Sequence, residues 1–175
     1  MIFSNLFLVY LYITCILGYT LVLLHDYTQL GKVPRLLRYG TLLGYPLTLA
    51  PFVIIPMHMH ARVSPALVWM LGAAASLFFG LLVYSVCIEV RLFAPEKPGT
   101  AWKGGTYRFS RHPGFLWFTA MHIIWMIIFS YAQVVLLLAA CIFLNLIVIT
   151  AEDRWIFPRL FTDYHEYQKE VPFIL

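Results

Sequence analysis

The chain has 175 residues, of which 62% are hydrophobic and 11% charged, where soluble domains carry about 25% charged residues. Such a chain cannot cover a water-facing surface with polar groups, which excludes an ordinary soluble domain and indicates a single membrane-embedded domain over residues 1–175. The net charge of +4 is accounted for by basic loops beside a cytoplasmic leaflet and calls for no nucleic acid.

Residues 3–24 form an apolar run of about the ~20 residues that a span needs. It lacks a basic leader and a small-residue cleavage site, so it reads as a retained first span. Residues 25–38 are a polar loop with Lys32, Arg35 and Arg38. The second run, 39–57, contains Pro46, Pro51 and Pro56, each of which removes a backbone bond, so a broken or kinked span is expected. His58 and His60 frame Met59 without a third ligand, and no metal site is expected. The third run, 64–88, carries Gly72, Ala73, Ala74, Ala75, Ser76 and Gly80, a small-residue surface that would let a neighbouring helix come close.

Residues 89–111 are the longest polar stretch. Pro95, Pro98, Gly99, Gly104 and Gly105 make it a structured loop. Runs 114–130 and 133–150, joined by Tyr131 and Ala132, suit an antiparallel hairpin. His122 and Asn145 lie inside it, where they serve either an interhelical hydrogen bond or a function. After Ala151 the chain mixes aromatic and charged residues, the pattern of an interfacial amphipathic segment. The expected fold is all-α: a polytopic transmembrane bundle of about five spans with that segment at its C-terminus. Cys15, Cys87 and Cys141 all fall in apolar runs, without metal spacing or a disulfide framework.

Five spans put the loop after span one, the loop after span three and the C-terminal segment on one side. These carry all of the Lys and Arg except Arg62. By the positive-inside rule that side is cytoplasmic. On it, the basic segment Gly-Gly-Thr-Tyr-Arg-Phe-Ser-Arg-His-Pro-Gly-Phe, residues 104–115, stands at the mouth of the first hairpin helix. Pro113 is tolerated in a first helical turn, and a helix N-terminus favours an anionic group. The acidic pair Glu152–Asp153 follows the second hairpin helix. A basic wall facing an acidic one suits a zwitterionic molecule beside a lipid-accessible cavity, although a belt of charge that only sets topology has the same composition.

The segment 104–115 resembles the GxYxxxRHPxY motif of the isoprenylcysteine carboxyl methyltransferase and phospholipid methyltransferase superfamily. That family continues with two spans, an acidic pair and a Y-x-x-Y-x-x-x-V-P tail, matched here by Glu152–Asp153 and residues 164–172. The order and spacing agree over residues 99–172. The resemblance implies S-adenosylmethionine as methyl donor and a lipid-like or small apolar acceptor. It implies that Tyr107, His112, Pro113, Gly114, Phe115 and Glu152 line the donor site, bordered by Thr100 and Trp102. By charge, Glu152 would take the donor's amino group, and Arg111 or a helix N-terminus its carboxylate; Glu152 and Arg111 are the expected catalytic residues. Phe115 stands where the family has tyrosine, and Asp153 where it has a second glutamate. Membrane sterol-type reductases share a similar RHPxYxGE motif and bind NADPH, but the glutamate position is Phe118 here. A non-catalytic membrane scaffold of the same fold is the third reading.

Overall fold

The computed structural model describes residues 5–31, 33–93 and 99–175. Lys32, Pro95, Lys97, Pro98 and the first residues of the first expected span lie outside them. Among the described residues the elements are helices and turns: α1 (Asn5–Thr28), α2 (Arg35–Thr41), α3 (Gly44–His58) and α4 (Pro65–Val83). A π-helical turn, Tyr84–Glu89, joins α4 to α5 (Val90–Phe93). A 3₁₀ turn, Gly105–Arg108, precedes the hairpin of α6 (Pro113–Ile128) and α7 (Ala132–Ala151). A second π-helical turn, Glu152–Ile156, leads to α8 (Phe157–Leu160) and α9 (Tyr164–Glu170).

Four segments are long and apolar enough to cross a membrane: Phe7–Thr28, Arg35–His58, Pro65–Phe93 and Ala132–Leu160. The shorter α6, Pro113–Ile128, is about 24 Å long and makes the fifth member, packed on α4 and α7. The architecture is an all-helical membrane bundle of about five spans. Its core lies where α1, α6 and α7 meet, around Cys15, Met121, Leu137, Leu138 and Cys141. By contrast α4 leaves Trp69, Met70 and Leu77 exposed, which lipid tails tolerate because all backbone bonds stay inside the helix.

Two local outcomes differ from the sequence expectation. The break in the second span falls at Leu42–Leu43, ahead of the prolines. Pro46 occupies the first turn of α3, where its missing N–H is no loss, while Pro51 and Pro56 are carried inside the helix. The break is braced by His25, whose Nδ1 lies 3.1 Å from Thr41 Oγ1 and 3.3 Å from the Arg38 carbonyl.

The closest backbone approach between helices is also outside the small-residue stretch of α4. On α4, Gly72 and Gly80 face open space, while Ala75 is buried in the core and α6 packs closely along the helix. The tight crossing is α1 on α3. A Cβ on Gly44 would stand 2.7 Å from the Gly18 carbonyl oxygen and 2.7 Å from the Val22 nitrogen. Glycine permits that approach because no side chain holds the backbones apart. Gly114 does the same for α6, with Val86 Cγ2 at 2.7 Å from where a Cβ would be.

Candidate functional site

Both π-helical turns lie at one end of the bundle, where the loop after α5 and the C-terminal tail also meet. Such turns recur at functional sites. Hydroxyls accompany each one: Ser85 Oγ donates to the Leu82 carbonyl at 3.1 Å, and Thr150 Oγ1 to the Leu146 carbonyl at 2.7 Å. Back-bonding of this kind bends a helix, and here it precedes the two acidic positions Glu89 and Glu152.

Glu89 is completely buried. Its Oε1 accepts from Trp102 Nε1 at 3.0 Å and from the Thr106 N–H at 2.9 Å, and its Oε2 accepts from Thr106 Oγ1 at 2.6 Å. A buried carboxylate needs such donors to replace its hydration. Gly105 sits at φ +52°, and a Cβ there would collide with Glu89 Oε1, so this turn requires glycine. Trp102 therefore anchors the loop on Glu89, with Thr100 at the loop's entry. Tyr107 donates to the Ser85 carbonyl at 3.3 Å. Burial, then the Glu89 and Glu152 carboxylates, push its phenol well above the usual range.

The tail folds back over this loop. The Thr162 N–H donates to the Gly99 carbonyl at 2.8 Å, and the Ala101 N–H to Asp163 Oδ1 at 2.8 Å. Tyr167 donates to the Tyr107 carbonyl at 2.7 Å, and the Arg111 N–H to the Pro172 carbonyl at 3.0 Å. Lys103 pairs with Glu170 at 3.3 Å. Tyr164 and Tyr167 are 2% exposed and pack with Ala101 and Val171. The aromatic face of the tail thus covers the loop, while Trp155 remains exposed.

His112 caps α6, and Pro113 is the first helical residue. The imidazole is 6% exposed, stacked on Phe157 at 5.8 Å and edge-on to Phe173 at 5.2 Å. Its Nδ1 lies 3.6 Å from Glu152 Oε2 and its Nε2 3.6 Å from Asp153 Oδ1, beyond hydrogen-bond range. Burial lowers the pKa of His112, assisted by Arg111 and opposed by Asp153, with a net downward shift. Asp153 is held by Tyr164 at 2.7 Å and by Gln168 Nε2 at 3.2 Å. Arg111 Nε is 3.4 Å from Asp153 Oδ1, an ion pair without hydrogen-bond alignment.

The end of α1 reaches the same place. Asp26 lies beside Glu152, so two acids face one another here. Asp26 Oδ2, Arg111 Nε and His112 Nε2 are all buried without a hydrogen-bond partner among the described residues.

The structure therefore brings Tyr107, Arg111, His112, Pro113 and Glu152 to one cluster. Phe115 is buried just behind it on α6. Gly114 serves the α6 contact with Val86. Asp26 and Glu89 are additions that the sequence reading passed over. The available signal was an acid at the polar end of an apolar run. His122 bonds the Phe118 carbonyl of its own helix at 2.8 Å and meets Phe52 edge-on at 4.5 Å. A larger apolar groove of about 790 Å³ runs between α3, α4 and α6, lined by Phe52, Trp69, Phe79 and Met121, away from the acidic cluster. No family model matches the chain, no curated protein matches it, and no solved structure matches it.

Proposed function

We propose that the protein is an integral membrane methyltransferase that uses S-adenosylmethionine and acts on a lipid-like or small apolar acceptor. The observation that carries this reading is the convergence of the RHP loop, the acidic pair and the Tyr-x-x-Tyr tail on one cluster. Tyr164 holds Asp153, Tyr167 holds the Tyr107 carbonyl, and the Pro172 carbonyl holds Arg111.

The residues present suit such a donor. Glu152 and Asp26 offer carboxyls for an ammonium group. Arg111 Nε and the N-terminus of α6 offer donors for a carboxylate. When bound, the donor supplies an electrophilic methyl group on a sulfonium. The chain's own part is to orient that group and exclude water. Good geometry can lower a barrier by up to ~7–11 kcal/mol, and a dry site favours a reaction that neutralises charge. The donor side would face the cytoplasm, with Arg62 on the other side.

The acceptor reading rests on charge. No Lys or Arg occurs between Pro113 and Arg154, and Val148, four residues before Glu152, is buried in the core. In the carboxyl methyltransferase branch the matching position is an arginine that grips the substrate carboxylate. A carboxylate entering the hairpin here would lack a cation to replace its hydration. A neutral amine or thiol on an apolar molecule fits better. Methyl transfer is preferred over hydride transfer because Phe118, packed edge-on to Tyr19 and Phe52, offers no carboxylate where the reductase motif has one.

The test is thermal stabilisation of the purified protein. S-adenosylmethionine should raise the unfolding midpoint and NADPH should not; the reverse result would replace this reading with the reductase. Methyl-labelled donor given to membranes should then yield products stable to mild base. Labelled methanol released by base, dependent on the intact protein, would identify a carboxyl ester and refute the amine or thiol acceptor.

A further inference from the structure

Cys15 sits near the middle of α1 and Cys141 near the middle of α7. They are 1% and 0% exposed. Their sulfurs lie 3.3 Å apart, with the Cys141 thiol donating to Cys15 Sγ across a separation of 126 residues. The third cysteine, Cys87, is exposed in the π-helical turn after α4 and takes no part. A lone buried cysteine packs as a small hydrophobe. Two that meet across a helix crossing have chemistry available to them that neither has alone.

We propose that Cys15 and Cys141 form an oxidation site within the membrane, closing to an internal disulfide when a small membrane-permeant peroxide reaches them. A disulfide is ~2.05 Å long, so the sulfurs need approach by only about 1.2 Å, a matter of side-chain rotation and slight helix adjustment. The Cys141 hydrogen bond favours negative charge developing on Cys15, which assigns Cys15 as the attacking sulfur. Cys15 takes one oxygen from hydrogen peroxide, forming a sulfenic acid and releasing water. The Cys141 sulfur then attacks the Cys15 sulfur. The S–O bond breaks, the S–S bond forms, and the oxygen leaves as a second water carrying the Cys141 proton. Two thiols lose two electrons, and one peroxide becomes two waters.

The bond would tie α1, which ends beyond Asp26, to α7, which leads into Glu152. It would therefore restrain the helix crossing on which the contact between those two carboxyls depends. This holds whether or not the chain is a methyltransferase.

The experiment uses the full chain in lipid vesicles with Cys87→Ser, so that only the pair remains. Hydrogen peroxide and, in a parallel sample, diamide are added, and peptides are weighed under non-reducing conditions. The expected main product is one linked peptide containing Cys15 and Cys141, lighter by two hydrogens than the sum of its parts and reversed by dithiothreitol. Adding Cys15→Ala or Cys141→Ala should abolish it. Thiols that stay free with both oxidants, or links that join two copies of the chain, would overturn the proposal.

Discussion

Glu89 and Glu152 are two carboxylates at the same end of the bundle, each in a π-helical turn that ends a span. Their surroundings differ. Glu89 accepts three hydrogen bonds from Trp102 and Thr106 and seals the start of the loop. Glu152 faces a second acid, Asp26, and the His112 ring stands 3.6 Å away without bonding it. A buried polar group whose bonds are all made belongs to the scaffold. A cluster holding several buried polar atoms without partners has bonding capacity left for something else. The contrast separates an anchor from a candidate binding site although both residues are acids in like positions.

The largest expected effect tests the anchor. Glu89→Ala leaves the Trp102 and Thr106 donors buried and unpaired, at ~1–3 kcal/mol for each group. The thermal unfolding midpoint should fall steeply, and residues 99–112 should become open to proteolysis. A variant as stable as the parent would erase the distinction between the two acids.

Glu152→Gln should do the opposite: little change in stability, but donor affinity lower by about ten- to a hundredfold, from a lost charge-assisted bond of ~1.5–3 kcal/mol. Asp26→Asn should weaken binding in the same direction, whereas Arg62→Ala, at the other end, should not. Isothermal titration with S-adenosylmethionine measures all three. Equal affinities across the set would move the site elsewhere.

The pH dependence sharpens the comparison further. Burial holds the folded-state pKa of His112 below the ordinary imidazole value of 6.5. The unfolded chain thus binds more protons than the folded one just below that value. The stability that comes from keeping His112 neutral is fully present above pH ~6.5 and is lost as pH falls below it. The slope contributed is at most about 1.4 kcal/mol per pH unit. In His112→Gln, the midpoint should depend less on pH between about 5 and 6.5. An unchanged profile would show that another group titrates there.

The smallest effect concerns the tail. Tyr167→Phe removes one neutral bond to the Tyr107 carbonyl, worth about 1 kcal/mol. A modest drop in midpoint is expected, with faster hydrogen exchange at residues 105–108. A drop as large as that of Glu89→Ala would mean that the tail, not Glu89, is the main anchor of the loop.

The sequence by itself determined the number and placement of the spans, the start of α6 at Pro113 and the hairpin. Those features depend on local quantities: the length of an apolar run, a proline at a first turn, a short connection. It also brought out Tyr107, Arg111, His112 and Glu152, because a basic loop and an acidic pair flank that hairpin. Only the tertiary structure decided which acid is an anchor and which belongs to a cluster, since Glu89 finds its donors across a loop and Asp26 reaches Glu152 from the other end of the chain. It likewise decided that the tail's tyrosines cover the loop, that α1 and α3 meet at Gly18 and Gly44, and that Cys15 meets Cys141. Each of these depends on which surfaces come together when five helices pack. Hydropathy carries no information about that, because in a membrane nearly every helix face is apolar.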